Sequence, residues 1–224
     1  KMGIESGTVK FLKELTKNNN REWFLSHKAQ YEGALQNIKE ISEQIKKDLG
    51  KKDLIEDAKV FRIYKDVRFA KDKTPYKNHF GVHFKRATTQ LRGGYYMHIE
   101  PGGSFVGGGF WEPNPEDLKR IRDEFAFDDK PIRKILKAAS FVKYFGQLDG
   151  DELKTAPSGY DRNHPAIDLI RKKQFIVGRK FSDKEVADAS FPKEVVRTFE
   201  ALRPFFDYMS EVLSTDINGQ LLVK

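Results

Sequence analysis

The hydrophobic period of this chain changes twice, and no other feature constrains its fold as strongly. Over residues 20–49, Phe24, Tyr31, Ile38 and Ile45 recur at every seventh position, with Leu35, Ile41 and Leu49 beside them. That spacing predicts one long amphipathic helix, with Asn19 as its cap, Glu22 completing a capping box and Gly50 ending it. From Lys59 the period becomes two. Phe61, Ile63 and Val67 alternate with Arg62, Tyr64 and Asp66; Phe80, Val82 and Phe84 with His79, Gly81 and His83; Tyr95, Met97 and Ile99 with Tyr96, His98 and Glu100. Residues 104–111 form a glycine-rich fourth segment. The connections at 70–78, 86–93 and 101–103 are too short for crossover helices, so the strands are expected to pair antiparallel.

Helical spacing returns after Pro113. Asn114-Pro115-Glu116-Asp117 is a cap followed by proline and acids, predicting a helix to about Phe125. A helix after Pro131, a short one over 166–173 and a capping box at Ser182 and Glu185 follow. A last helix from about Ser190 presents Val195, Phe199, Leu202, Phe206, Met209 and Leu213 on one face, with Pro204 inside it. Helices before and after a block of strands define an α+β class. The expectation is a single domain over 1–224, with a central, mainly antiparallel sheet of about four strands flanked by N- and C-terminal helices.

Composition narrows what such a domain can do. The absence of cysteine excludes disulfides, thiol nucleophiles and cysteine-held metals, and fits a reducing compartment. No apolar run approaches the roughly 18–20 residues that span a bilayer, and no signal-peptide pattern is seen, so a cytoplasmic protein without a membrane partner is expected. The net charge of +8 is concentrated: residues 59–92 carry ten Lys/Arg against two acids, and 171–180 carry five cations and no acid. Concentrated positive charge attracts phosphates, carboxylates or nucleic acid, although such runs also occur as solvated surface.

Strand alternation gathers the candidate chemistry. One sheet face carries the apolar set; the other carries Arg62, Tyr64, Asp66, His79, His83, Tyr96, His98 and Glu100, including three of the five histidines. His79 and His98 with Glu100 are the candidates for general acid–base work. The loop that follows adds Arg68, Lys71, Lys73 and Lys77, suited to oxyanions, with Asp72 to orient a lysine and Phe69 and Tyr76 as anchors or stacking groups. Gly107, Gly108 and Gly109 mark a bulge or a close approach, and Gly108 is a candidate ligand contact. His79 and His83 lie about 13 Å apart at strand rise and cannot share an ion, whereas His98 or Glu100 from the neighbouring strand pairs with one of them. Ordinary hydrogen bonding is the plainer reading of these histidines, and no metal ligand is assigned. A triad through Ser104 has little support without a nucleophile elbow.

The segment Phe61-Arg62-Ile63-Tyr64-Lys65-Asp66-Val67-Arg68-Phe69-Ala70-Lys71-Asp72-Lys73-Thr74-Pro75-Tyr76-Lys77 resembles an uncharacterised family of bacteria and fungi, domain of unknown function twenty-four sixty-one. Further matches are Asn19-Asn20-Arg21-Glu22-Trp23-Phe24, Tyr95-Tyr96-Met97-His98-Ile99-Glu100-Pro101-Gly102-Gly103, Ala156-Pro157-Ser158-Gly159-Tyr160 and His164-Pro165-Ala166-Ile167-Asp168-Leu169, so the resemblance spans about 7–213. It implies one domain and assigns no activity, cofactor or catalytic residue.

Three readings follow. The first is a protein that binds, and in one version acts on, a small phosphate- or carboxylate-bearing ligand on the polar sheet face. The second is a nucleic-acid binder using the basic segment 59–92. The third is a non-catalytic interaction module. Cofactor, reaction and oligomeric state are left open by the sequence.

Overall fold

A computed structural model describes residues 3–222. Its centre is one antiparallel sheet of five strands in sequence order: β1 (Ile55–Val60), β2 (Phe80–Arg86), β3 (Gly94–Ile99), β4 (Phe105–Phe110) and β5 (Phe175–Lys180). The α+β class is as expected, with one strand more. Phe80, Val82, Phe84, Tyr95, Met97 and Ile99 are all buried to 1% exposure or less, so alternation assigned the core side of β2 and β3 correctly.

By internal contacts the chain forms two compact units. The first comprises residues as far as Lys85, with Tyr96–Val106 and Lys180–Thr198. Within it, α1 (Ser6–Lys17) packs Phe11, Leu12 and Leu15 against α3 (Lys28–Leu49), whose buried stripe includes Ala34, Ile38, Ile41 and Ile45. The helix expected over 20–49 is broken. A short α2 (Arg21–Ser26) precedes α3, and His27 turns the chain between them, its ring stacked on Trp23 at 4.0 Å. The α2 cap is Asn20, which accepts the Trp23 amide at 2.9 Å, not Asn19. The Asn19 amide is used elsewhere: its Nδ2 donates to the Tyr76 carbonyl at 2.9 Å and its Oδ1 accepts the Tyr76 amide at 3.1 Å. The capping box at Ser182 and Glu185 forms as expected and starts α8 (Asp183–Ala187).

Residues 61–77 are the main departure. They form no strand of the sheet, but an arm that leaves β1 and returns to β2. The Lys77 amide donates to Ile63 O at 2.7 Å, Lys65 to Pro75 O at 2.9 Å, and Tyr64 bridges Tyr76. The period-two pattern of Phe61–Val67 is therefore satisfied within this arm, where Ile63 is buried and Arg62 and Tyr64 are exposed.

The second unit comprises Arg86–Tyr95, Gly107–Arg179 and Phe199 onward. Here α4 (Pro115–Phe127) is capped by Asn114, which accepts the Asp117 amide at 2.8 Å. Next come α5 (Lys130–Leu136), α6 (Ala139–Phe145) and α7 (Ile167–Ile170). The final helix α9 (Phe191–Ser214), whose residues from Phe199 belong to this unit and whose earlier residues belong to the first, keeps Pro204 within it, and its expected face, from Val195 to Leu213, is buried. Arg86 is a buried cation held by the Arg92 carbonyl at 2.9 Å and the Asp207 carboxylate at 3.2 Å. The second basic segment is largely paired: Arg171 and Lys172 meet Glu152, and Lys173 meets Asp151. Among the described residues no helix is long and apolar enough to cross a membrane.

Candidate functional site

The polar side of β3 builds the site, in the first unit. Period two places Tyr96 and His98 on one face, and Glu100 follows as the strand ends. The three side chains join in a line. The Tyr96 hydroxyl is 3.2 Å from His98 Nδ1, and His98 Nε2 is 2.8 Å from Glu100 Oε2. A carboxylate only accepts, so Nε2 carries the proton to Glu100 and Nδ1 accepts from the tyrosine. The second carboxylate oxygen, Oε1, accepts from Asn78 Nδ2 at 2.9 Å.

His79, just before β2, lies over this line. Its ring stacks on His98 at 4.1 Å between centroids, and Phe105 of β4 stacks on His98 at 4.7 Å. His98 is thus flanked by a second imidazole and a phenyl ring, and its side chain is only 12% exposed. Two glycines make room. A Cβ at Gly81 would lie 2.6 Å from the Tyr96 hydroxyl, and one at Gly103 would lie 3.2 Å from Glu100 Oε2.

The electrostatics follow from this packing. Burial, then the neighbouring His98, pushes His79 down to about 4; Lys77 and Lys65 add to the shift and Glu100 opposes it. His79 is therefore neutral at neutral pH, in a field that includes two lysines. Burial, then the Glu100 charge, raises Tyr96, which keeps its hydroxyl a donor to His98. His83 stands apart from this cluster. Burial and the nearby Lys59 lower its pKa, with Asp57 opposing. As pH falls below the ordinary imidazole value of about 6.5, the unfolded chain takes up a proton that folded His83 resists, so stability should drop. The urea midpoint is expected to be lower at pH 5 than at pH 7, and His83→Gln should shrink that difference. An unchanged difference in the variant would show that His83 is not a source of it.

The structure brings together His79, His98, Glu100 and Tyr96, with Lys77 near enough to act on His79. It does not bring Tyr64 with them. Tyr64 packs with Phe24, Tyr31 and Tyr76 at ring distances of 5.7, 6.5 and 5.5 Å, because the arm, lacking strand geometry, does not continue the sheet's alternation. Arg62 and Lys71 are exposed on the arm. Arg68 forks onto Asp66 at 3.0 and 2.6 Å, and Lys73 donates to Val67 O at 3.0 Å, so both stabilise the arm itself. Asp72 does hold a lysine, Lys65, at 2.8 Å, and that bond keeps its carboxyl far below the usual range. Tyr76 is a buried anchor, but Phe69, expected as a possible second anchor, is 96% exposed. Ser104 serves the backbone: its hydroxyl accepts the Glu100 amide at 3.0 Å and donates to the Glu100 carbonyl at 2.9 Å, closing the turn after β3. Gly108, in the second unit, has a backbone reason for being glycine, since a Cβ there would lie 2.3 Å from Gly94 O.

Asn78, Phe105, Gly81 and Gly103 are the members of the site that alternation alone did not single out. Asn78 carried a usable signal, since it adjoins His79 and precedes a strand whose neighbour is followed directly by Glu100. Phe105 became visible only with the β3–β4 register.

A tyrosine–histidine–glutamate line on an antiparallel sheet, under a second imidazole, defines an α+β protein with a hydrogen-bonded polar site at a strand end. The chain belongs to the family of conserved hypothetical proteins DUF2461, whose model matches residues 7–208. No curated protein and no solved structure matches it.

Proposed function

We propose that this is a cytoplasmic protein whose site at His79, His98 and Glu100 binds a small phosphate- or carboxylate-bearing molecule. The observation that carries the reading is convergence: two stacked imidazoles and a carboxylate share one partly buried spot, and Lys77 and Lys65 act on it from the arm. Lysine charge offsets Glu100 and attracts an oxyanion. Neutral His79 supplies a ring nitrogen to the ligand, and the Tyr96–His98–Glu100 line can pass a proton to or from it. The nucleic-acid reading draws on Phe69, whose exposed ring between Arg68 and Lys71 suits stacking on a base.

Calorimetric titration with inorganic phosphate, a tricarboxylate and a sugar phosphate tests the first reading, and a short single-stranded oligonucleotide tests the second. At least one small anion is expected to bind, about 10-fold more weakly in Lys77→Ala and unchanged in Phe69→Ala. If no small anion binds while the oligonucleotide does, in a manner lost with salt and in Phe69→Ala, the arm is the functional surface and the sheet-face reading falls.

A further inference from the structure

The geometry points to a divalent transition-metal site of the zinc class formed by His79, His98 and Glu100. One ring nitrogen from each histidine and one carboxylate oxygen all lie within 4.8 Å of one another. A metal bound at about 2.0–2.2 Å from nitrogen and oxygen donors holds its ligands roughly 3–3.5 Å apart. The donors reach that spacing by rotation of the side chains about χ1 and χ2, which must open the stack of His79 on His98 so that both rings present a nitrogen to the ion. The donor set is two imidazoles and one carboxylate, borderline in softness, which suits zinc, cobalt or ferrous iron better than magnesium or calcium. The chain has no cysteine to make a competing thiolate site.

Three features beyond the ligands fit this use. The first is a supporting partner for each of them. Tyr96 lies 3.2 Å from His98 Nδ1, and its oxygen can accept the Nδ1 proton once Nε2 turns to the metal. Asn78 donates to Glu100 Oε1, leaving Oε2 for the ion, while its Oδ1 lies 3.4 Å from His79 Nδ1 and can fix that ring with Nε2 outward. The second is room, since Gly81 and Gly103 leave free the volumes occupied by the Tyr96 hydroxyl and the Glu100 carboxylate. The third is the wall formed by Phe105, whose ring covers one face of His98 at 4.7 Å between centroids. Three protein ligands leave at least one coordination position open, as in sites where the metal meets a water or an anionic group. On entry the ion takes the place of the proton on His98 Nε2, and the ring takes up a proton at Nδ1 that it donates to the Tyr96 oxygen, so His98 stays a neutral imidazole and no net proton is released. The site concerns the same face as the proposed anion binding but does not need it, since metal affinity is measured without any anion.

The test uses the full chain, free of any histidine tag and stripped with a chelator. Zinc is titrated by calorimetry, and cobalt by the visible absorption that appears on coordination. One ion per chain is expected, with a dissociation constant in the micromolar range or tighter. Glu100→Gln, which keeps the side chain's size and its Asn78 contact, should weaken binding at least about 100-fold, as should His98→Gln, each with an unchanged circular dichroism spectrum. Tyr96→Phe should weaken it about 10–100-fold. His83→Gln, outside the cluster, should bind as the parent does. No binding below millimolar zinc, or undiminished binding in Glu100→Gln and His98→Gln, would overturn the site. Loss of anion binding with metal binding intact would instead sink only the anion reading.

Discussion

Gly109→Ala is expected to remove about 3 kcal/mol or more of folding stability, because it meets two separate penalties. Gly109 sits in β4 at φ +137, a conformation that L side chains rarely adopt. Its missing Cβ would also lie 2.1 Å from the Phe175 carbonyl oxygen of β5. Backbone strain of this kind costs about 1–3 kcal/mol, and forcing atoms into a packed site costs about as much again. The obstructing atom is backbone within a ladder, so it cannot swing aside as a lysine tip would. Gly102 supplies the comparison. It too has a positive φ, +74, but nothing lies within 4 Å of its Cβ position. Gly102→Ala should lose only the local strain, about 1 kcal/mol. Urea unfolding of both variants separates the two costs. Equal losses would mean that the close approach of β5 is not what demands glycine at 109.

Phe206→Ala should be at least as severe, at about 3–5 kcal/mol. Phe206 on α9 is fully buried. Its ring lies 4.9 Å from that of Tyr95 and 6.0 Å from each of Phe110 and Phe205. The Arg86 guanidinium also sits 5.6 Å from the ring centroid, and that cation is entirely buried. Truncation would leave a cavity and strip a buried charge of an aromatic face that helps to stabilise it. At Gly93, φ +86, a Cβ would come within 2.9 Å of the same ring, so the backbone has closed tightly around it. A Tm drop of several degrees and a lower urea midpoint are the readouts. Phe127→Ala, at a ring 73% exposed, should stay within about 0.5 kcal/mol of the parent. A Phe206→Ala loss under about 1 kcal/mol would show that this cluster can collapse to fill the gap.

The parts of this fold that were readable in advance are those where one physical signal dominates. In β2 and β3 every second residue is large and apolar, and burial follows that alternation closely. α4 and α8 announce themselves through Asn114-Pro115 and the Ser182/Glu185 box, both local bonds that need no tertiary partner. β1, Ile-Glu-Asp-Ala-Lys-Val, was hidden because it is an edge strand with charges on it, as edges favour. β5 was hidden by its own basic flanks, although Phe175 and Val177 on one face are both buried. Asn19 and Asn20 are chemically identical caps. What chose between them was a bond to Tyr76, 57 positions away. The site divides the same way. His98 and Glu100 share a face by strand geometry alone, and His79 joins them through the β2–β3 pairing. Tyr64 misled because alternation along one segment says nothing about whether that segment enters the sheet.

The paired bonds between Asn19 and the Tyr76 main chain have a chemical corollary. A carboxamide presents a donor and an acceptor side by side, as a peptide group does, so this single side chain stands in for one residue of an absent neighbouring strand. Deamidation would leave the acceptor but turn the donor into a second anionic oxygen facing a carbonyl. Slow hydrolytic ageing of one asparagine would thus unfasten the returning limb of the basic arm from the helical layer.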